Sequence, residues 1–151
     1  MDVRGTWERL AIIRELWFEA RPLSATASGW SGRGEGTVEV ERIDPGTLIF
    51  HERGVWKPDV GREMPFRNVF RWTVAPEGDH LRLEHLRFGV ESPVFLFDLV
   101  PVAVGVLESS GPHACGRDRY SARMVYDQEA IRVNWTITGP KKDESLAYRY
   151  R

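Results

Sequence analysis

Four stretches of this chain alternate apolar and polar side chains with a period of two, and turn-forming residues separate such runs. Phe66, Asn68, Phe70, Trp72 and Val74 alternate with Arg67, Val69, Arg71 and Thr73. Tyr120, Ala122, Met124 and Tyr126 do so against Arg119, Ser121 and Arg123, and Ile131, Val133, Trp135 and Ile137 against Arg132, Asn134, Thr136 and Thr138. Leu146, Tyr148 and Tyr150 end the series opposite Arg149 and Arg151. A period of two puts one set of residues on each face of a β-strand, so each run specifies a half-buried strand and its register.

The breaks are turn chemistry: Asp44-Pro45-Gly46, Pro76-Glu77-Gly78-Asp79, Tyr126-Asp127-Gln128-Glu129 and Gly139-Pro140-Lys141-Lys142-Asp143, each short enough for a hairpin. Further strands are expected at residues 7–19, 33–42, 47–56, 80–88 and 93–100. Thr6 to Glu19 also carries Leu10, Ile13 and Trp17 at helical spacing, but its β-branched and aromatic content and the alternation Leu10, Ile12, Arg14, Leu16, Phe18 favour a strand. About nine strands at regular spacing, with no long segment of period 3.6, predict an all-β protein, an antiparallel barrel or sandwich. At 151 residues and 17.3 kDa, with no linker, repeat or low-complexity tract, residues 1–151 read as a single domain with a sizeable core.

Composition narrows the function classes. A net charge of −1 provides no global field to attract nucleic acid. The longest apolar run, Val94 to Leu107, is broken by Asp98, Pro101 and Gly105 and falls short of the roughly 20 residues of a spanning helix. That run is apolar on both faces, so it is expected either to lie under another element or to form an association surface for a homodimer. A single cysteine excludes an internal disulfide and fits a reducing compartment. The start of the sequence has no basic region followed by an apolar core, so cytoplasmic residence is the expectation and the sequon at Asn134 carries no weight.

Several motifs are specific enough to carry a resemblance. Gly5-x-Trp7, Phe70-x-Trp72, Asp98-Leu99, His113-x-Cys115-x-x-Asp118-x-Tyr120, Trp135-x-x-x-Gly139-Pro140-x-Lys142 and the terminal Tyr148-Arg149-Tyr150-Arg151 resemble a small, uncharacterised calycin-like family of unknown function, most specifically from His113 onward. The resemblance implies one closed, lipocalin-type antiparallel barrel of about eight to ten strands. Its Gly-x-Trp start and arginine-bearing last strand look like the calycin closing pair, which implies that the terminal strand lies beside the strand after Trp7. It also implies that Trp7 plugs one end under the guanidinium of Arg149 or Arg151. Where the family pattern carries Phe-His before Leu-Asp-Leu, this chain has Val94-Phe95. The resemblance implies no activity.

The chemical groups are sparse. His113 and Cys115, two apart on a strand, share a face and have the types of a thiolate–imidazole pair or of two metal ligands. A closed zinc site needs four ligands, and beyond Asp118 no other Cys or His lies near in sequence. No cysteine-hydrolase signature surrounds Cys115, so the pair reads as a buried thiol and a hydrogen-bonded rim histidine, with no metal. Asp118 and Tyr120 also share a face, as an acid/base pair or as a turn cap and a core tyrosine. Asp98 interrupts an apolar strand and should face outward or pair with an arginine. His85, in Leu81-x-Leu83-x-His85, falls on the apolar face of its strand, as a satisfied core residue or a polar group on a cavity wall. With His51 and His113 it is a candidate haem ligand. The glycine-rich Gly29-Trp30-Ser31-Gly32-Arg33-Gly34-Glu35-Gly36 lacks the Gly-Lys-Ser/Thr of a phosphate loop and reads as a loop feeding a bent strand, with Trp30 as a lid.

The reading these residues favour is a binding protein for a small apolar or aromatic molecule. Its interior is formed by Phe70, Trp72, Tyr120, Met124, Trp135 and Tyr148, with His85 or Tyr120 orienting the ligand and His113, Cys115 and Asp118 near the rim. No catalytic constellation and no cofactor is called for. The alternatives are a small lyase, isomerase or cyclase with a His, Tyr or Asp acid–base group in the barrel, and a haem or gas-binding barrel; fold alone does not choose among them.

Overall fold

A computed structural model describes residues 3–23, 31–109, 113–115 (backbone only), 118–140 and 143–151. The elements follow in the order α1 (Val3–Leu10), β1 (Glu15–Pro22), β2 (Gly32–Asp44), β3 (Thr47–Pro58), β4 (Met64–Val74), β5 (Leu81–His85), β6 (Val94–Ala103), β7 (Val106–Ser109), β8 (His113–Cys115), β9 (Asp118–Tyr126), β10 (Ile131–Thr138) and β11 (Asp143–Tyr150). The strands pair in the order β10-β11-β1-β2-β3-β4-β5-β6-β7-β9, and β9 pairs back onto β10. Ten strands therefore close an all-antiparallel barrel, with short β8 along the first residues of β9. Closure leaves no long unpaired sheet edge among these ten.

The expected meeting of the chain ends is observed. β11 runs antiparallel to β1, with Leu16 opposite Tyr150, Phe18 opposite Tyr148 and Ala20 opposite Leu146. The alternation is obeyed on the four runs that open the sequence reading: Phe70, Trp72, Tyr120, Met124, Trp135 and Tyr148 are buried in one core, and Arg71, Arg123 and Arg132 are not. Asp98 faces outward and takes two hydrogen bonds from the Arg82 guanidinium, at 2.9 and 3.2 Å. Within the apolar run Val94 to Leu107, β6 is paired on both sides, and Val102 and Val104 at its hairpin tip are exposed.

Two expectations fail at the N-terminus. Residues 7–19 are not one strand, and Trp7 does not lie under a guanidinium of the last strand. Val3, Thr6, Trp7 and Leu10 form a buried helical stripe on α1, a turn over residues 11–14 follows, and β1 begins only at Glu15. An eight-residue helix is too short to persist alone, so this one exists because its stripe packs. The indole N–H of Trp7 donates to the Pro45 carbonyl at 3.2 Å, and Arg9 donates to the Asp127 carbonyl. Both acceptors lie in hairpin turns at the same end of the barrel, so α1 closes that end. The Arg149 guanidinium lies over Trp17, 5.0 Å from its ring centre, not over Trp7. Trp17 and Arg149 are cross-strand partners, whereas Trp7 precedes the barrel wall.

Gly36 and Gly54 face each other across β2 and β3. A Cβ on Gly54 would stand 2.0 Å from the Glu35 carbonyl oxygen, and one on Gly36 would stand 2.0 Å from that of Arg53. The strands approach too closely here for any side chain, the kind of position at which glycine lets a strand turn a barrel corner. Trp30 lies outside the described residues. Gly54→Ala is expected to lower stability by about 1–3 kcal/mol, because rigid backbone must move to admit the methyl group. An unchanged urea midpoint would show that the corner is not this tight.

Candidate functional site

The end of the barrel opposite α1 holds a cavity of about 350 Å³. Its wall comes from strand segments at that end: Phe18 of β1, Trp56 of β3, Met64, Phe66, Asn68 and Phe70 of β4, His85 of β5, Trp135 of β10, and Glu144, Leu146 and Tyr148 of β11. These residues share an interior because register locks them together. Phe70 is opposite His85, Phe66 is opposite Gly54, and Trp135 is opposite Leu146. The aromatic side chains interlock: Phe18 makes an edge contact with Phe66 at 5.1 Å, and Trp135 stacks on Tyr148 at 6.0 Å. A rigid aromatic wall with a few polar groups is the usual chemistry of a small-molecule pocket.

His85 is the half-buried polar group at the edge of this wall. It stacks on Phe70, with ring centres 4.8 Å apart and planes 27° apart. Burial, with a smaller contribution from the charge of Arg87, holds its imidazole below the ordinary histidine range. The ring is therefore neutral at pH 7 and offers one donor and one acceptor nitrogen.

Immediately inward of the cavity lies a group the sequence reading missed. Glu52 is completely buried on β3, between the inward-facing Phe50 and Gly54. The Tyr150 hydroxyl donates to its Oε2 at 2.6 Å, and its Oε1 has no hydrogen-bond partner. Burial pushes the carboxyl up from its ordinary 4.5 to about 8, against the opposing effect of the Tyr150 hydrogen bond, so it is neutral at pH 7. Burial, with the carboxylate charge second, also raises both Tyr148 and Tyr150 well above the normal phenol range. Tyr148 connects the two regions, lining the cavity while stacking on Tyr150 at 5.7 Å. The signal was available: Leu48, Phe50 and Trp56 share a parity with Glu52, which puts that carboxyl on the inner face.

Of the residues expected to form the site, Phe70, Trp135, Tyr148 and His85 reach the cavity wall. Trp72, Tyr120 and Met124 are buried elsewhere in the same core, and Asp118 is half-buried at the start of β9. His113 and Cys115 pair through their backbones with Tyr120 and Asp118, and their side chains lie outside what the structure describes. His51 points away from the interior, to Glu41 at 3.0 Å. Among the described residues no group of three or more His, Cys, Asp or Glu is placed to hold a metal ion, and no helix is long and apolar enough to cross a membrane.

Residues 13–151, which include the whole barrel wall and every cavity residue, match the model of a family of unknown function, DUF6314. The chain belongs to that family. Helix α1 precedes the matched region, so the DUF6314 match covers the barrel and its open end but not the closing helix. No curated protein matches the chain significantly.

Proposed function

We propose that this DUF6314 protein binds a small, largely apolar or aromatic molecule, uncharged or weakly acidic, in the open-end cavity. The observation that carries the reading is an aromatic cavity wall with a neutral, half-buried His85 stacked on Phe70. The side chains of Phe18, Phe66, Phe70, Trp135 and Tyr148 supply contact area for an apolar body, and His85 and Asn68 supply orientation. A ligand with a strong buried charge would lose several kcal/mol of hydration with few partners inside, so nucleotides and dicarboxylates should be rejected. The ten-strand barrel closed at one end and hollow at the other is compatible with a calycin-like binding protein.

Trp56 and Trp135 both line the cavity, so tryptophan fluorescence reports occupancy directly. Titration with naphthalene derivatives and medium-chain fatty acids is expected to saturate, and ATP is expected to leave the signal flat. Phe70→Ala should weaken the apolar ligands by about ten-fold, the equivalent of roughly 1.4 kcal/mol of lost contact. Saturable ATP binding with no response to any apolar compound would overturn the reading.

A further inference from the structure

We propose that Glu52, anchored by Tyr150, is a hydrogen-bond donor that receives a carbonyl oxygen at the inner end of the ligand in the cavity. The inference rests on the binding reading above and specifies the ligand class: an aromatic or aliphatic body led by a ketone, aldehyde or amide carbonyl.

Geometry carries the argument. Glu52 is opposite Asn68 in the β3–β4 register, on the same inward face, and Asn68 lines the cavity. Side chains so paired stand about 5 Å apart at Cβ, so the carboxyl lies one side chain beyond the cavity wall. On the open-end side of Glu52 the next inward position is Gly54, where no side chain fits. The opposite residue, Phe66, is itself on the wall. β3 itself places no side chain between the carboxyl and Trp56, but the β2 backbone at Glu35 and Gly36 fills the space over Gly54, so the approach from the cavity to the carboxyl is on the Asn68 side.

Hydrogen bonding fixes which atom is free. Tyr150 donates to Oε2, so the acid proton of the neutral carboxyl resides on Oε1, the oxygen without a partner. A buried donor left unmade costs on the order of 1–3 kcal/mol, and a ligand acceptor recovers that cost. A carbonyl accepts such a bond without introducing charge, whereas a carboxylate would bring a second unit of negative charge beside Glu52 once it ionises. The groups facing Glu52 leave its ionisation readable. Tyr148 and Tyr150 of β11 titrate far above it, its β2 and β4 neighbours Val38 and Asn68 carry no charge, and the inward residues of β1 are Leu16, Phe18 and Ala20. On the cavity wall itself, His85 titrates at lower pH, Glu144 is the other carboxyl and Arg67 is the one guanidinium among the described residues.

The test compares 2-acetylnaphthalene with its near-isostere 2-ethylnaphthalene, read by tryptophan quenching. Wild-type protein should favour the ketone by about ten-fold near pH 6 and lose that preference towards about pH 9.5, as the donor ionises. Glu52→Gln keeps a donor that does not ionise, so its preference should persist at both pH values. Glu52→Met should bind both compounds with the affinity of the hydrocarbon. Equal binding of the two probes by wild type, or a ketone preference independent of pH, overturns the carbonyl assignment alone. Failure of both probes to bind overturns the cavity reading beneath it. Should Glu52→Met not fold, the wild-type and Glu52→Gln pH profiles decide the matter by themselves.

Discussion

Glu52→Gln is expected to make the protein more stable at alkaline pH, by up to about 5 kcal/mol, while leaving it nearly unchanged near pH 4. The wild-type carboxyl is raised from 4.5 to about 8 by complete burial. A group with a higher pKa in the folded state binds its proton more tightly there than in the unfolded chain. That contribution to stability is therefore complete below about 4.5, declines as pH rises, and is gone above about 8. Across that interval, at about 1.4 kcal/mol per pH unit, the loss amounts to roughly 5 kcal/mol. Glutamine has the same shape, still accepts from Tyr150 and never ionises, so its stability lacks this decline. Every other titrating group is common to the two proteins, so the difference between their urea unfolding curves from about pH 4 to pH 9 isolates Glu52. Two curves that stay parallel would mean that the carboxylate is hydrated or paired in the folded state.

How much of this was legible in the sequence depends on how a residue's parity and its type agree. Tyr120, Met124, Trp135 and Tyr148 are apolar side chains at inward parity, and polarity alone puts them inside. The Leu81-x-Leu83-x-His85 pattern works for the same reason, since two leucines fix the face on which a borderline residue must lie. Glu52 is the opposite case. Its parity with Leu48 and Phe50 says inside, its charge says outside, and the sequence reading assigned it no place. The conflict disappears once the carboxyl is neutral, and neutrality depends on burial and on Tyr150, nearly a hundred positions away in sequence. The failure at the N-terminus has another origin. The helical stripe Val3-Trp7-Leu10 and the strand alternation Leu16-Phe18-Ala20 run together through Ala11-Ile12-Ile13-Arg14, where no glycine or proline marks the change of period. Ile12 is exposed and Ile13 buried, which continues the helical spacing from Leu10 and breaks the strand alternation that Leu16 and Phe18 take up.

The second large effect is expected at Trp7. Its ring is 1% exposed, it packs with Val3 and Leu10 into the barrel core, and its indole N–H is satisfied by Pro45. Truncation removes the largest side chain of α1, leaves a cavity at the closed end and frees the Pro45 carbonyl. Trp7→Ala should therefore cost about 3–5 kcal/mol, in the range of other buried aromatic truncations. Trp7→Phe should cost less, because most of the ring volume remains and chiefly the hydrogen bond is lost. Trp17 is the informative contrast. It lies on the outer face beneath Arg149, so Trp17→Ala forfeits a partly exposed cation–π contact of about 1 kcal/mol and some covered surface. Urea unfolding of the three variants ranks the two tryptophans directly. If Trp7→Ala proves no more costly than Trp17→Ala, then α1 rests on the barrel without sealing it, and the closed end would have to be attributed to the hairpin turns alone.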